Sequence, residues 1–146
     1  MATMSDFTSH TLLLEAIYNG ELKPSGQVLA LLQEIQDMLT ALAERGEENR
    51  IDIRSLPLSP ADYDFLKQFL GNGEVSAEVN ALGLSEIKET RFSGVWWLLH
   101  YNSHAEIMAE LIEVTLLPDI LKTQAPDLID SCNTLREYLQ KLQTPN

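Results

Sequence analysis

A chain of 146 residues with 45% hydrophobic side chains can bury about two-thirds of its unfolded surface, which excludes general disorder and predicts one domain over residues 1–146. A net charge of −12 repels a phosphate backbone and excludes nucleic acid as the default partner. The single cysteine, Cys132, excludes an internal disulfide and a thiolate cluster.

The chain opens on residues 1–50, a helical part. Leu12 to Leu14 with Ile17 form an apolar patch that predicts a short helix or arm. No basic segment precedes TLLLEAI, and the apolar runs fall far short of a membrane span. The expectation is a cytoplasmic chain with no membrane partner. Lys23 to Gly26 break the pattern. Val28, Leu31, Leu32, Ile35, Met38, Leu39 and Leu42 then recur at helical spacing, with Arg45 and Gly46 suited to the C-terminus. That stripe fits packing on a sheet or pairing with a second copy of itself.

Residues 51–122 read differently. Ile51 to Arg54 alternates apolar and charged, as a short strand does. Ser59 and Pro60 read as an N-cap with proline at the first helical position. Phe65, Leu66, Phe69 and Leu70 supply that helix's buried stripe, and Gly71 stops it. Strands follow over about 74–81, 86–91, 95–101 and 107–114, with short links containing Gly83, Gly94, Asn102 and Ser103. Links this short require antiparallel pairing. Residues 123–146 form a last helix, with Leu128, Ile129, Cys132, Leu135, Tyr138, Leu139 and Leu142 on its buried side. The predicted fold class is α+β: an antiparallel meander of about four strands, plus a short extra one, with helices on one face.

The candidate residues sit on the sheet. Glu74, Ser76 and Glu78 alternate with Val75, Ala77 and Val79, so they share a wet strand face. Glu89 on the next strand extends the acid, or pairs internally with Lys88 or Arg91. The plain reading is a solvated face with one ion pair; the sharper one is a partner-binding surface. Trp96 and Trp97 are adjacent on a strand and point to opposite faces. Val95 and Leu99 share the face of Trp97, which predicts Trp97 in the core and Trp96 as an exposed anchor. No catalytic residues are predicted. Ser76 lacks a base, and Gly71-Asn72-Gly73 opens a strand with no lysine after it, unlike a phosphate loop. His100 and His104 fall at a strand end and a turn, so their spacing predicts no metal site. No cofactor is expected.

Four blocks resemble the conserved C-terminal region of the HupH/HyaF hydrogenase expression proteins. They are IDIRSLPL with its SPADYDFL helix, LGNGEVSAEV, IKETRFSGVWW and LIEVTLLPDIL. The family's pattern falls here on Gly71, Gly73, Glu74, Val75, Ser76, Glu89, Thr90, Gly94, Val95, Trp96, Glu113 and Pro118. Lys88 stands where the family has glutamine, and Trp97 where it has arginine. The resemblance implies a non-enzymatic maturation factor or chaperone for a nickel–iron hydrogenase. The implied partner is the precursor of the small, iron–sulfur subunit, together with other maturation proteins. Glu74, Ser76, Glu78, Glu89 and Trp96 are then the partner-binding candidates. The alternatives are a homodimeric scaffold of the maturation complex, or an enzyme using the carboxylates or Cys132.

Overall fold

The computed structural model describes residues 4–145, with side chains from residue 10 onward. The chain falls into two compact units, one running to Leu116 and one beginning at Leu117. The first holds α1 (Met4–Tyr18), α2 (Gly26–Arg45), β1 (Asn49–Asp52), α3 (Pro60–Leu70), β2 (Ser76–Asn80), β3 (Leu84–Glu89), β4 (Val95–Tyr101) and β5 (Ile107–Val114). The second holds a 3-10 turn, Asp119–Leu121, and α4 (Ala125–Gln143).

Local chemistry sets the helix ends. Ser25 caps α2 by accepting from the Val28 amide at 3.2 Å. Gly46, in the left-handed region, donates to Leu42, and Glu47 donates to Ala41, closing the last turn. Ser59 caps α3 by accepting from the Asp62 amide at 3.1 Å, with Pro60 at the first turn as predicted.

The five strands form one antiparallel sheet in the order β1-β5-β4-β3-β2. The meander was legible in the sequence; the short extra strand expected at Ile51–Arg54 lies instead at Asn49–Asp52, with a 3-10 helix at Ile53–Ser55. Helices α2 and α3 lie on one face. Leu31 and Ile35 from α2 and Leu66 and Leu70 from α3 pack with Ile51, Val95, Trp97, Ile112 and Val114 from the sheet. Much of the α2 stripe is therefore used in its own core, with Leu32, Met38, Leu39 and Leu42 half-buried at its margin.

The register shows where the helix layer stops. One row across the helix-bearing face reads Ile51, Ile112, Trp97, Lys88, Ser76. The next reads Glu110, Leu99, Glu86, Glu78. Ile51, Ile112, Trp97 and Glu110 are buried, Leu99 and Glu86 half-buried, and Lys88, Ser76 and Glu78 exposed. The layer covers β1, β5 and β4 and leaves the β3–β2 half of that face open.

One sequence expectation fails in α4. Its apolar stripe of Leu128, Ile129, Leu135, Tyr138, Leu139 and Leu142 is exposed, and so is Cys132. Helical periodicity fixes which residues share a stripe. It does not fix what covers them.

Candidate functional site

The open half of the sheet and the C-terminal end of α3 enclose a groove of about 750 Å³. Lys67, Gln68 and Gly71 form its α3 side, and Glu86, Lys88, Trp97 and Leu99 come from β3 and β4. Glu74, Glu89 and Arg91 close one end. Both charge signs line the groove, although the chain as a whole is strongly acidic.

Its basic groups are held in place. The Lys67 ammonium lies 5.5 Å from the Trp97 ring centre and 5.6 Å from that of Tyr63, within cation–π range. The Arg91 amide donates to Leu70 at 2.8 Å, and its Nη2 donates to the Gln68 carbonyl at 3.3 Å. Arg91 Nε and Nη1 are buried and make no hydrogen bond among the described residues. A buried donor without a partner costs about 1–3 kcal/mol.

Two glycines make this corner. Gly71 has φ 62° and ψ −158°, a region that is essentially glycine's own. The Gly73 amide donates to the Glu89 carbonyl at 2.7 Å, and a Cβ on Gly73 would lie 2.4 Å from the Thr90 carbonyl oxygen. The bare backbone lets residues 71–74 close onto the end of β3.

On β5, Glu110 is 5% exposed. Its Oε2 accepts from Trp97 Nε1 at 2.8 Å and from the Tyr63 hydroxyl. Tyr63 and Trp97 also meet edge to face, 5.8 Å between centres. Burial, then the Glu110 carboxylate, push the Tyr63 phenol well above the ordinary tyrosine value. The folded state thus holds this proton at a pH where the unfolded chain has lost it. Tyr63 contributes its full stability below about pH 10, the unfolded value, and loses it as pH rises beyond. Melting temperature measured from pH 8 to 11 should fall more steeply in the wild type than in Tyr63→Phe. Parallel curves would show that Tyr63 titrates alike in both states.

The candidates from the sequence separate. Glu74 and Glu89 line the groove, and Glu74 is exposed at its end. Ser76 and Glu78 stand beside it on β2, exposed on the same sheet face. Trp96 is a correction. It is 3% exposed, and its Nε1 donates to the Thr115 carbonyl at 3.0 Å. It offers no free ring. Parity placed Trp97 correctly on the helix-bearing face, but that layer ends at β4, so Trp97 is the ring that reaches the groove. Reading the sequence missed Lys67, Arg91 and the Tyr63–Glu110 pair. Nothing in local spacing links α3 to β5.

Among the described residues no group of three or more His, Cys, Asp or Glu side chains could hold a metal ion. His100 Nδ1 shares a 2.7 Å hydrogen bond with Ser85 Oγ. No helix of the described chain is long and apolar enough to cross a membrane.

Residues 27–142 match the family model described as the HupH hydrogenase expression protein, C-terminal conserved region. The match reaches into α2 and α4, beyond the four blocks. The hydrogenase expression/formation protein HoxQ of Azotobacter vinelandii is 32% identical over 128 residues, covering 85% of this chain and 45% of its own. HupH of Rhodobacter capsulatus is 31% identical over 114 residues, covering 78% and 41%. The hydrogenase-1 operon protein HyaF of Escherichia coli is 29% identical over 96 residues, covering 66% and 34%. The chain thus spans less than half the length of these relatives. A solved structure of the hydrogenase expression protein HupH from Thiobacillus denitrificans is 37% identical, with a TM-score of 0.77, and covers 82% of this chain and 99% of that one. With its sequence blocks, its sheet and this solved relative in agreement, the chain belongs to the HupH hydrogenase expression protein family through the C-terminal conserved region.

Proposed function

We propose that this chain is a non-enzymatic accessory factor in the formation of a nickel–iron hydrogenase, holding the precursor of the small, iron–sulfur subunit in the cytoplasm. The family match over residues 27–142 carries this reading. The relatives' names speak of hydrogenase expression and formation. The choice of the small subunit rests on the family resemblance alone.

The surface proposed for the precursor is the groove end with Glu74 and Glu89 and the adjoining β2 face with Ser76 and Glu78. The groove supplies donors and acceptors on a rigid floor. Exposed acid around it favours encounter with a basic segment and speeds association more than it tightens it.

Co-expression of the tagged chain with a small-subunit precursor, with the large subunit as control, tests the reading. Retention of the small subunit alone is the expected result. Retention of neither subunit by a well-folded chain would overturn it. Elution of the free chain at twice its monomer mass in that case would move the reading to a dimeric scaffold.

A further inference from the structure

We infer that the outer edge of β2 is a docking edge for an extended, basic segment of the partner, which adds to the sheet as a sixth strand. This deepens the proposed function and rests on it for the identity of the partner.

The sheet ends at β2, and no described strand lies beyond it. Hydrogen bonds flanking the strand fix which way its backbone points. Glu89 N donates to Val75 O at 2.9 Å, and Ala81 N donates to Gly83 O at 3.1 Å. Odd-numbered residues therefore bond inward to β3. The main-chain N–H and C=O of Ser76, Glu78 and Asn80 point outward. Edges of this kind are ordinarily blunted by shortness, charged side chains, proline, a bulge or a covering segment; β2 is short and carries Glu78, a charge that repels a second acidic edge and admits a basic one. Over Ser76–Asn80 the sequence SAEVN has no proline or lysine, and its register with β3 is unbroken. The opposite edge differs. β1 is only four residues long and runs straight into a 3-10 helix, Ile53–Ser55.

The side chains specify the segment. Glu78 lies directly opposite Glu86 on the helix-bearing face. Like charges in that relation are destabilising. Neither carboxylate has an ion pair or side-chain hydrogen bond among the described residues. A lysine or arginine on an added strand would stand about 5 Å from Glu78 and relieve the repulsion. On the other face, half-buried Ala77 and Val79 border the buried Ile87. They accept small or β-branched residues. The matching pattern is Lys or Arg at every second position with Val, Thr or Ala between. Main-chain bonds supply the affinity and the alternating side chains the specificity.

The probe is a capped peptide of sequence TKVKVKVT, titrated into the full chain and followed by amide hydrogen exchange. Binding should slow exchange at Ser76, Glu78 and Asn80 about tenfold at saturation. The acidic peptide TEVEVEVT should not bind. Glu78→Pro removes an outward donor and leaves the inward ladder intact, and it should abolish the protection. Glu78→Lys combined with Glu86→Lys should weaken binding about tenfold. It decides the matter if the proline variant does not fold. Protection elsewhere on the chain, equal binding of both peptides, or no binding at all would overturn the proposal. The two readings fail separately. Undiminished precursor capture by the charge-reversed variant would sink the β2 edge and leave the proposed function standing. Peptide binding at β2 without precursor capture would do the reverse.

Discussion

Replacing Glu110 with alanine is expected to lower the unfolding free energy by about 3 kcal/mol. Glu110 is one of few buried polar residues in the described chain, and the Tyr63 and Trp97 hydrogen bonds both converge on its Oε2. Truncation strands the Trp97 indole N–H and the Tyr63 hydroxyl together. Each stranded donor costs about 1–3 kcal/mol when water cannot reach it. Tyr63 is half-buried and recovers part of this loss from solvent. Trp97, at 8% exposure, recovers little. Glu110→Gln keeps an acceptor of nearly the same shape and should cost about 1 kcal/mol. Urea unfolding of the two variants, with Tyr63→Phe in both backgrounds, separates the terms. Tyr63→Phe should be nearly neutral once Glu110 is alanine, because its acceptor is already gone. A Glu110→Ala variant within about 0.5 kcal/mol of wild type would mean that a water replaces the carboxylate without loss. Its hydrogen bond to Trp97 Nε1 also anchors a ring that lines the groove.

The parts of this fold that could be read in the sequence are those fixed by short-range rules. Alternation along SAEVN and the single-residue parity of Trp96 and Trp97 assigned strand faces correctly. Ser59-Pro60 marked the start of α3, and links such as Ala81 to Gly83 forced antiparallel pairing. What could not be read is coverage. The extent of the helix layer over the sheet depends on where α2 and α3 end in space, and no spacing encodes that. Hence Trp97 reaches the groove. Trp96 is closed off on the other face, and the α4 stripe with Cys132 is exposed. The groove is likewise built from α3, β3, β4, the Gly71–Glu74 turn, the link after β3 and His10 of α1. Residues far apart in the chain line it. Glu74 was found because strand patterning exposed it, Glu89 was named with its face left open and is half-buried, and Lys67 carries no such signal.

Gly73→Ala should cost about 2–3 kcal/mol, a large effect for one methyl group at an exposed position. The added carbon would lie 2.4 Å from the Thr90 carbonyl oxygen, and that atom is backbone. Thr90 is 2% exposed, and its amide donates to the Val95 carbonyl at 2.9 Å, so it cannot retreat. The turn must move instead, stretching the 2.7 Å hydrogen bond from Gly73 to Glu89. Gly71→Ala is the useful contrast. Its Cβ would meet Arg91 Nη2 at 2.6 Å, the far end of a flexible side chain. Its cost comes chiefly from the backbone region at φ 62°, about 1–3 kcal/mol. The two substitutions should therefore differ in kind. Gly73→Ala should loosen the start of β2, accelerating amide exchange at the inward-bonded Ala77 and at Glu89, which donates to Val75. Gly71→Ala should displace Arg91 and leave those amides protected. Equal exchange profiles in the two variants would show that the close approach at Gly73 does not hold the turn. If the profiles differ as expected, a drop in precursor capture confined to Gly73→Ala, measured well below its melting temperature, would tie capture to the placement of β2. A drop confined to Gly71→Ala would tie it to the Arg91 end of the groove.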